Sequence, residues 1–251
     1  MAGFAVEGQT VLMSVFRFRG LNKVWGLAQL GLLPPKLRKS EHLSFFKVLG
    51  TGGGIGYSGR SDFSQYALLT VWPSSEIARD FFENDEIMKV YRTKSIESFT
   101  VVMKPLRSRG KWSGMEPFIP QRPAGSGLPV AVLTRARLKW SFIVPFWRRV
   151  RAVSLSQKKY NQIYSQGVGE WPWLFQSTFS IWSSVEEMER FAHTDNEAHM
   201  DAIRITRKKN GFREELYARF QVVGSEGTVK GVNLLPEYLQ SFMALGVAQI
   251  K

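Results

Sequence analysis

The sequence predicts an α+β fold: two ferredoxin-like halves, duplicated within one chain and closed into a single barrel of the dimeric α/β type. Three observations predict it. The elements read β-α-β-β-α-β over residues 10–114, and the same order returns over 130–231. Landmarks recur at matched places, so LTVW at 69–72 is answered by FSIW at 179–182, each followed by a Ser-rich, acidic helix start. Between the copies, residues 115–129 (MEPFIPQRPAGSGLP) have the Pro and Gly content of a linker. Two such halves hide both apolar sheet faces by packing them against one another, with helices outside.

In the first copy, residues 11–19 (VLMSVFRFR) end in strict alternation, which is the pattern of a half-buried strand. An apolar helix is expected over 21–33, closed by Pro34-Pro35. Residues 43–49 (LSFFKVL) read as the second strand, and GTGGGIG at 50–56 as a flexible hairpin loop. No Lys-Ser/Thr pair follows those glycines, so they are not a phosphate loop. The third strand is expected at 66–72, a helix opens at Pro73-Ser74, and FTVVM at 99–103 is the fourth strand, running into a basic loop, KPLRSRGKWSG.

The second copy restarts at 130–137 (VAVLTRAR), whose RAR mirrors the earlier RFR. An apolar-basic helix region follows at 139–159, then strands at 160–168 and 175–182. The stretch 99–114 aligns without gaps on 216–231. Beyond it, 232–251 forms a carboxy-terminal amphipathic helix.

Composition narrows the chemistry. With no cysteine among 251 residues, disulfides, thiolate metal sites and cysteine nucleophiles are excluded. No H-E-x-x-H, G-x-S-x-G or zinc-ligand spacing occurs. The net charge of +13 favours an anionic partner. No RNP, zinc-finger or helix-turn-helix pattern accompanies it, so nucleic acid is not expected. The residues at 21–33, 139–153 and the carboxy terminus mix Trp, Leu or Phe with Lys and Arg, as a helix lying on a membrane surface does; packing on the sheet with solvated cations is the plainer alternative. No stretch is long and apolar enough to span a bilayer. The expected location is cytoplasmic, peripheral at the inner face of the membrane.

Only three histidines are present. Thr194-x-x-Glu197 fits a capping box, which places His199 in the early turns of a helix beside Ala202, Ile203 and Thr206. A neutral imidazole there can ligate a haem iron, or can be an ordinary core histidine. His193 is the competing ligand, expected in the loop between two helices, and His42 is expected at the surface.

Several blocks resemble the spheroidene monooxygenase family, which oxidises acyclic carotenoids in the C-2 region. They are SVFRF (14–18), LSFFKVLGTGGGIGY (43–57), RSRGKWSGMEPF (107–118), LTRARL (133–138), GVGEWPWLFQSTFSIW (167–182) and FREELYARFQVVGSEGT (212–228). The chain departs from that pattern at Tyr217, where Phe is expected, and at Arg213, where Ser is expected. The resemblance implies a haem b monooxygenase that uses O2, electrons from an external donor such as a ferredoxin, and an acyclic carotenoid. Its fold is similar to other duplicated barrels that hold haem, including aldoxime dehydratases. It makes His199 the axial ligand; the first copy has no histidine at that place (FFENDEIMKVYRT), so one haem per chain is implied. Arg17, Arg19, Arg135, Arg137 and Arg204 are candidate cations for its propionates. Phe45, Phe46, Trp171, Trp173 and Phe175 are candidates for a carotenoid cavity, or else core. A haem lyase on the same barrel and a haem-free ligand-binding barrel at a membrane surface are the alternatives.

Overall fold

The computed structural model describes residues 8–53, 61–125, 127–144, 162–170, 175–194 and 211–236. Eight strands close a barrel: β1 (Thr10–Arg17), β2 (Phe45–Gly52), β3 (Ser61–Trp72), β4 (Glu97–Gly110), β5 (Val130–Leu138), β6 (Gln162–Gly169), β7 (Phe175–Trp182) and β8 (Phe212–Gly227). Their order around it is β1-β3-β2-β6-β7-β5-β8-β4, all neighbours antiparallel. Each half contributes one four-stranded ferredoxin-like sheet, 4-1-3-2 and 8-5-7-6, joined edge to edge at β2–β6 and β4–β8. The described helices are α1 (Asn22–Leu32), α2 (Pro34–Leu37), α3 (Ser75–Asn84), α4 (Glu86–Lys94) and α5 (Val185–Glu189), with α5 running into a π-turn at Arg190–Thr194. Ser74, Asp85 and Ser184 cap α3, α4 and α5, each accepting from a backbone amide of the first turn.

Alternation decides which side chains fill the barrel. Val11, Met13 and Val15 of β1 point inward with Leu69 and Val71 of β3, Val101 and Met103 of β4, Leu133 of β5, Ile181 of β7 and Phe220 of β8. Leu12, Phe16 and Phe18 point outward and meet Phe81, Phe82, Met88 and Tyr91 of α3 and α4.

Several boundaries move. Pro34-Pro35 opens the one-turn α2 rather than only closing α1, because proline suits a first helical turn. β3 begins five residues before the expected Tyr66. The basic stretch from Lys104 to Gly110 is strand, because it pairs with β8. Gly50–Gly52 belongs to β2, and residues 54–60 lie outside the described residues. Of the second apolar-basic region only residues 139–144 are described, with one turn at Trp140–Phe142, and 237–251 of the carboxy-terminal stretch lie outside. Of the expected linker, residues 115–125 are tied to the barrel: Phe118 is buried, the Gln121 amide donates to Pro105 O at 2.8 Å, and the Ala124 amide donates to Gln221 Oε1.

The ladders fix how the copies correspond. Trp72 pairs with Thr10 and Trp182 with Val130, so Arg17 corresponds to Arg137, and the RFR–RAR match is two residues out of step. Met103 pairs with Val11 and Phe220 with Ala131, which reproduces the ungapped match of 99–114 to 216–231.

That second correspondence includes two glycines. Gly110 (φ +93°) and Gly227 (φ +91°) end β4 and β8, where a Cβ would strike the carbonyl of Glu215 or of Ser98 on the neighbouring strand. Each is followed by a two-residue hairpin with both central φ positive: Ser113-Gly114 between Trp112 and Met115, and Lys230-Gly231 between Val229 and Val232. Gly110→Ala and Gly227→Ala are each expected to cost about 2 kcal/mol or more, read as a lowered urea midpoint at unchanged slope.

Candidate functional site

The outward faces of the two sheets differ most, and the ladders allow a row-by-row comparison. In the first half one row reads Val102, Leu12, Thr70, Phe46; the matching row of the second half reads Arg219, Val132, Ser180, Ser165. The next reads Thr100, Ser14, Leu68, Val48 against Tyr217, Thr134, Thr178, Gly167. In the third, Phe16 is replaced by Ala136. Phe46, Leu68, Val48 and Phe16, which pack under or beside the first-half helices, thus give way to Ser165, Thr178, Gly167 and Ala136. The second half carries a strip of small residues across β5, β7 and β6 where the first half carries a packed core.

The strip is chemically unfinished. Ser165 Oγ and Thr178 Oγ1 are buried without a hydrogen-bond partner among the described residues. Buried hydroxyls in folded proteins are nearly always satisfied, so two without partners on adjacent strands single this face out. Arg219 borders the strip from β8: one terminal nitrogen holds Glu189 of α5 at 3.2 Å, and its Nε is buried and unpartnered among the described residues. At its edge the original packing survives, with Trp182 against Phe191 at 5.0 Å as Trp72 is against Phe81 at 4.6 Å. Beyond Phe191 the copies part, because the second has a π-turn where α3 continues as regular helix; such turns are often found at functional sites. His193 sits in that turn.

His199, Arg204, Trp171 and Trp173 lie outside the described residues. His42 is exposed, as expected. Phe45 and Phe46 are not brought together: Phe45 points into the barrel, edge-on to Trp112 at 5.7 Å, whereas Phe46 packs outward. Phe175 pairs with Arg137 in the β5–β7 ladder. Arg17, Arg135 and Arg137 occupy inward positions of their strands, on the opposite sheet face from the strip, and Arg19 is exposed at the far rim. The cation facing the strip, Arg219, was not among the sequence candidates; the signal that finds it is the comparison of the two copies, where it replaces Val102.

Arg135 instead organises one barrel rim. Its guanidinium is buried, pairs with Glu214 and with Glu170 at 3.5 Å, and lies over the Trp112 ring. Lys47 reaches Glu170 at 2.6 Å and Ser113 Oγ at 2.7 Å, and Trp112 Nε1 donates to Glu170 at 3.0 Å. Glu214 also accepts from the amides of Ser113 (3.0 Å) and Gly114 (2.8 Å), fastening the first half's hairpin to the second half's strand. The opposite rim mirrors this. Glu97 accepts from Gly231 N (2.7 Å) and Thr228 Oγ1 (3.0 Å) and pairs with Arg17 at 3.8 Å.

Burial raises both carboxyl pKa values, but the hairpin donors and the arginines outweigh it, and Glu97 and Glu214 end below the usual carboxylate range. A depressed carboxyl pKa adds stability that is full above the unfolded value and is lost as pH falls through the folded one. Urea midpoints should therefore fall on acidification from about pH 5 to pH 3, and less steeply in Glu97→Gln and Glu214→Gln.

No protein-family model matches the chain. Over 233 residues it is 37% identical to a spheroidene monooxygenase of Cereibacter sphaeroides, covering 92% of this chain and 72% of the relative. It is 35% identical over 223 residues to that of Rhodobacter capsulatus (87% and 92%), and 33% over 188 residues to that of Rubrivivax gelatinosus (74% and 72%). Among solved structures, an aldoxime dehydratase superposes with TM-score 0.55 at 9% identity over 86% of this chain and 82% of its own. A second, crystallised with butyraldoxime, gives 0.53 at 11% identity, covering 88% and 81%. These two share the fold.

Proposed function

The chain belongs to the spheroidene monooxygenase family, and from that premise we propose a haem-dependent enzyme that inserts oxygen at the C-2 region of an acyclic carotenoid. That it is a carotenoid monooxygenase follows from the family. The cofactor reading is carried by one observation, the strip. A flat, largely apolar group with a polar edge fits a sheet face whose side chains are smaller than those of the first half, whose buried hydroxyls lack partners among the described residues and whose border carries a half-satisfied arginine.

In this reading His199 would hold the iron of haem b beside the strip, with His193 as runner-up, and Arg219 would hold a propionate, in place of Arg135 and Arg137. In sequence, Glu197-Ala198-His199 matches Glu86-Ile87-Met88 once one extra residue is allowed for the π-turn, and Met88 is fully buried. Haem would supply O2 activation with electrons from an external donor, a ferredoxin or similar. The chain's own residues exclude water from the sheet side through Val132, Trp182 and Phe191, and hold the acidic edge of the group. The substrate class is apolar and lipid-soluble, so the enzyme works at the cytoplasmic face of the membrane; among the described residues no helix is long and apolar enough to cross it.

The test is an absorption spectrum of protein expressed with haem precursor, then reduced under CO. One Soret-absorbing haem per chain is expected, shifted by CO, and lost in His199→Ala while His193→Ala keeps it. Turnover of an acyclic carotenoid should require O2 and a reductase, whereas a lyase on this barrel would not consume O2. A protein colourless above 350 nm after haem titration would sink the reading.

A further inference from the structure

Where β1 ends, four large apolar side chains face solvent: Leu21 (87% exposed), Val24 (65%), Ile96 (62%) and Phe63 (61%). Backbone bonds bring the segments that bear them to the same end of the barrel. The Ile96 amide donates to Arg17 O at 2.8 Å and the Phe18 amide to Ser64 O at 2.7 Å, so the segments bearing Ile96 and Phe63 flank the turn into α1. Asn22 Nδ2 adds a bond to Lys94 O at 2.8 Å. Along α1 the patch continues: Leu21, Val24, Ala28 and Leu32 share one face at helical spacing, and all are exposed. The opposite face is anchored. Gly26 lies so close to Tyr66 and Phe18 that a Cβ would meet the Tyr66 ring at 2.9 Å, and Gln29 and Leu33 are buried. The helix is held firmly with its apolar stripe outward.

Along the α1 segment itself the charge has one sign, while Asp62 and Glu97 beside the tip are paired with Arg17. Arg19, Lys23, Lys36, Arg38 and Lys39 are exposed, and no Asp or Glu occurs between Glu7 and Glu41. A rigid apolar stripe with a cationic border matches an interface-lying helix, with side chains at acyl depth and cations at lipid phosphates. A docked electron-carrier protein would be met by the charges alone and would gain little from Leu21, Val24, Phe63 and Ile96 at the tip.

We propose that the α1 face, with Phe63 and Ile96 at its tip, is the surface by which this enzyme inserts into an anionic lipid bilayer. This deepens the reading of a substrate dissolved in membrane. The test below contains no carotenoid and reads no turnover, so either idea can fail alone.

The chain has no cysteine, so a single Leu21→Cys carries an environment-sensitive fluorophore without competition. With phosphatidylglycerol vesicles its emission should shift to the blue, while the same label at Glu116→Cys, exposed at the other rim, should not. In co-sedimentation, Leu21→Asp/Val24→Asp should bind at least tenfold more weakly. Lys36→Glu/Arg38→Glu/Lys39→Glu should abolish the preference for phosphatidylglycerol over phosphatidylcholine. The proposal is overturned if the full-length protein does not sediment with phosphatidylglycerol vesicles, if the two labels respond alike, or if the aspartates leave binding intact. The last outcome, with binding lost only in the charge-reversed variant, would mark a purely electrostatic surface suited to an acidic protein.

Discussion

Ser165→Phe/Thr178→Leu is expected to lose its Soret absorbance altogether while remaining folded and at least as stable as the parent. The two substitutions install the residues that the first copy has at the same ladder positions, Phe46 and Leu68. Both fill the strip from the sheet side, and a planar group cannot share that volume. They also remove two buried hydroxyls without partners among the described residues, each of which costs about 1–3 kcal/mol. Loss of cofactor by unfolding would lower the melting temperature; loss by occupation should raise it or leave it unchanged. The reverse exchange, Phe46→Ser/Leu68→Thr, is expected to destabilise by about 3 kcal/mol or more and leave the spectrum as it was. A double variant that still binds one haem per chain would move the cofactor elsewhere on the barrel.

Arg135→Met is expected to produce the largest loss of stability from any single rim substitution, about 3–5 kcal/mol, because it leaves Glu170 and Glu214 facing each other without their shared cation. For a chain of this size that corresponds to a melting temperature lower by about 10 °C. Lys47→Met should cost less, since its partner Glu170 keeps Arg135 and Trp112. Adding Glu214→Gln to Arg135→Met should recover part of the loss, which a simple cavity effect would not allow. A penalty below about 1 kcal/mol would show that the rim is solvated well enough to behave as a surface ion pair.

Much of this architecture was legible in the sequence. Alternation located the strands, and the LTVW–FSIW and 99–114 to 216–231 matches gave the duplication, because closing one barrel from two copies constrains the same strand positions twice. Boundaries were less legible. Lys104 to Gly110 looked like a basic loop because no local pattern announces that β4 runs on to pair with the other half's β8. The RFR–RAR match slipped by two because a shift of two keeps every side chain on its face; only the ladder distinguishes the two registers. The faces of the arginine candidates were illegible for a related reason. Composition marks a cation but not the sheet face it occupies, and Arg135 faces inward where Arg219 faces the strip. The strip itself is written as absences (Ala136 for Phe16, Gly167 for Val48), and these acquire meaning only against a paired register.

The crossed carboxylate clasps have a consequence for how this chain can change over time. Each half's terminal hairpin is held by the other half's glutamate, Glu214 on Ser113-Gly114 and Glu97 on Gly231. Neither half can alter its rim without loosening the other, so rims and barrel interior are inherited as a pair. The outward faces carry no such mutual obligation. One copy keeps Phe46 and Leu68 under its helices, while the other carries Ser165 and Thr178 at the same ladder positions.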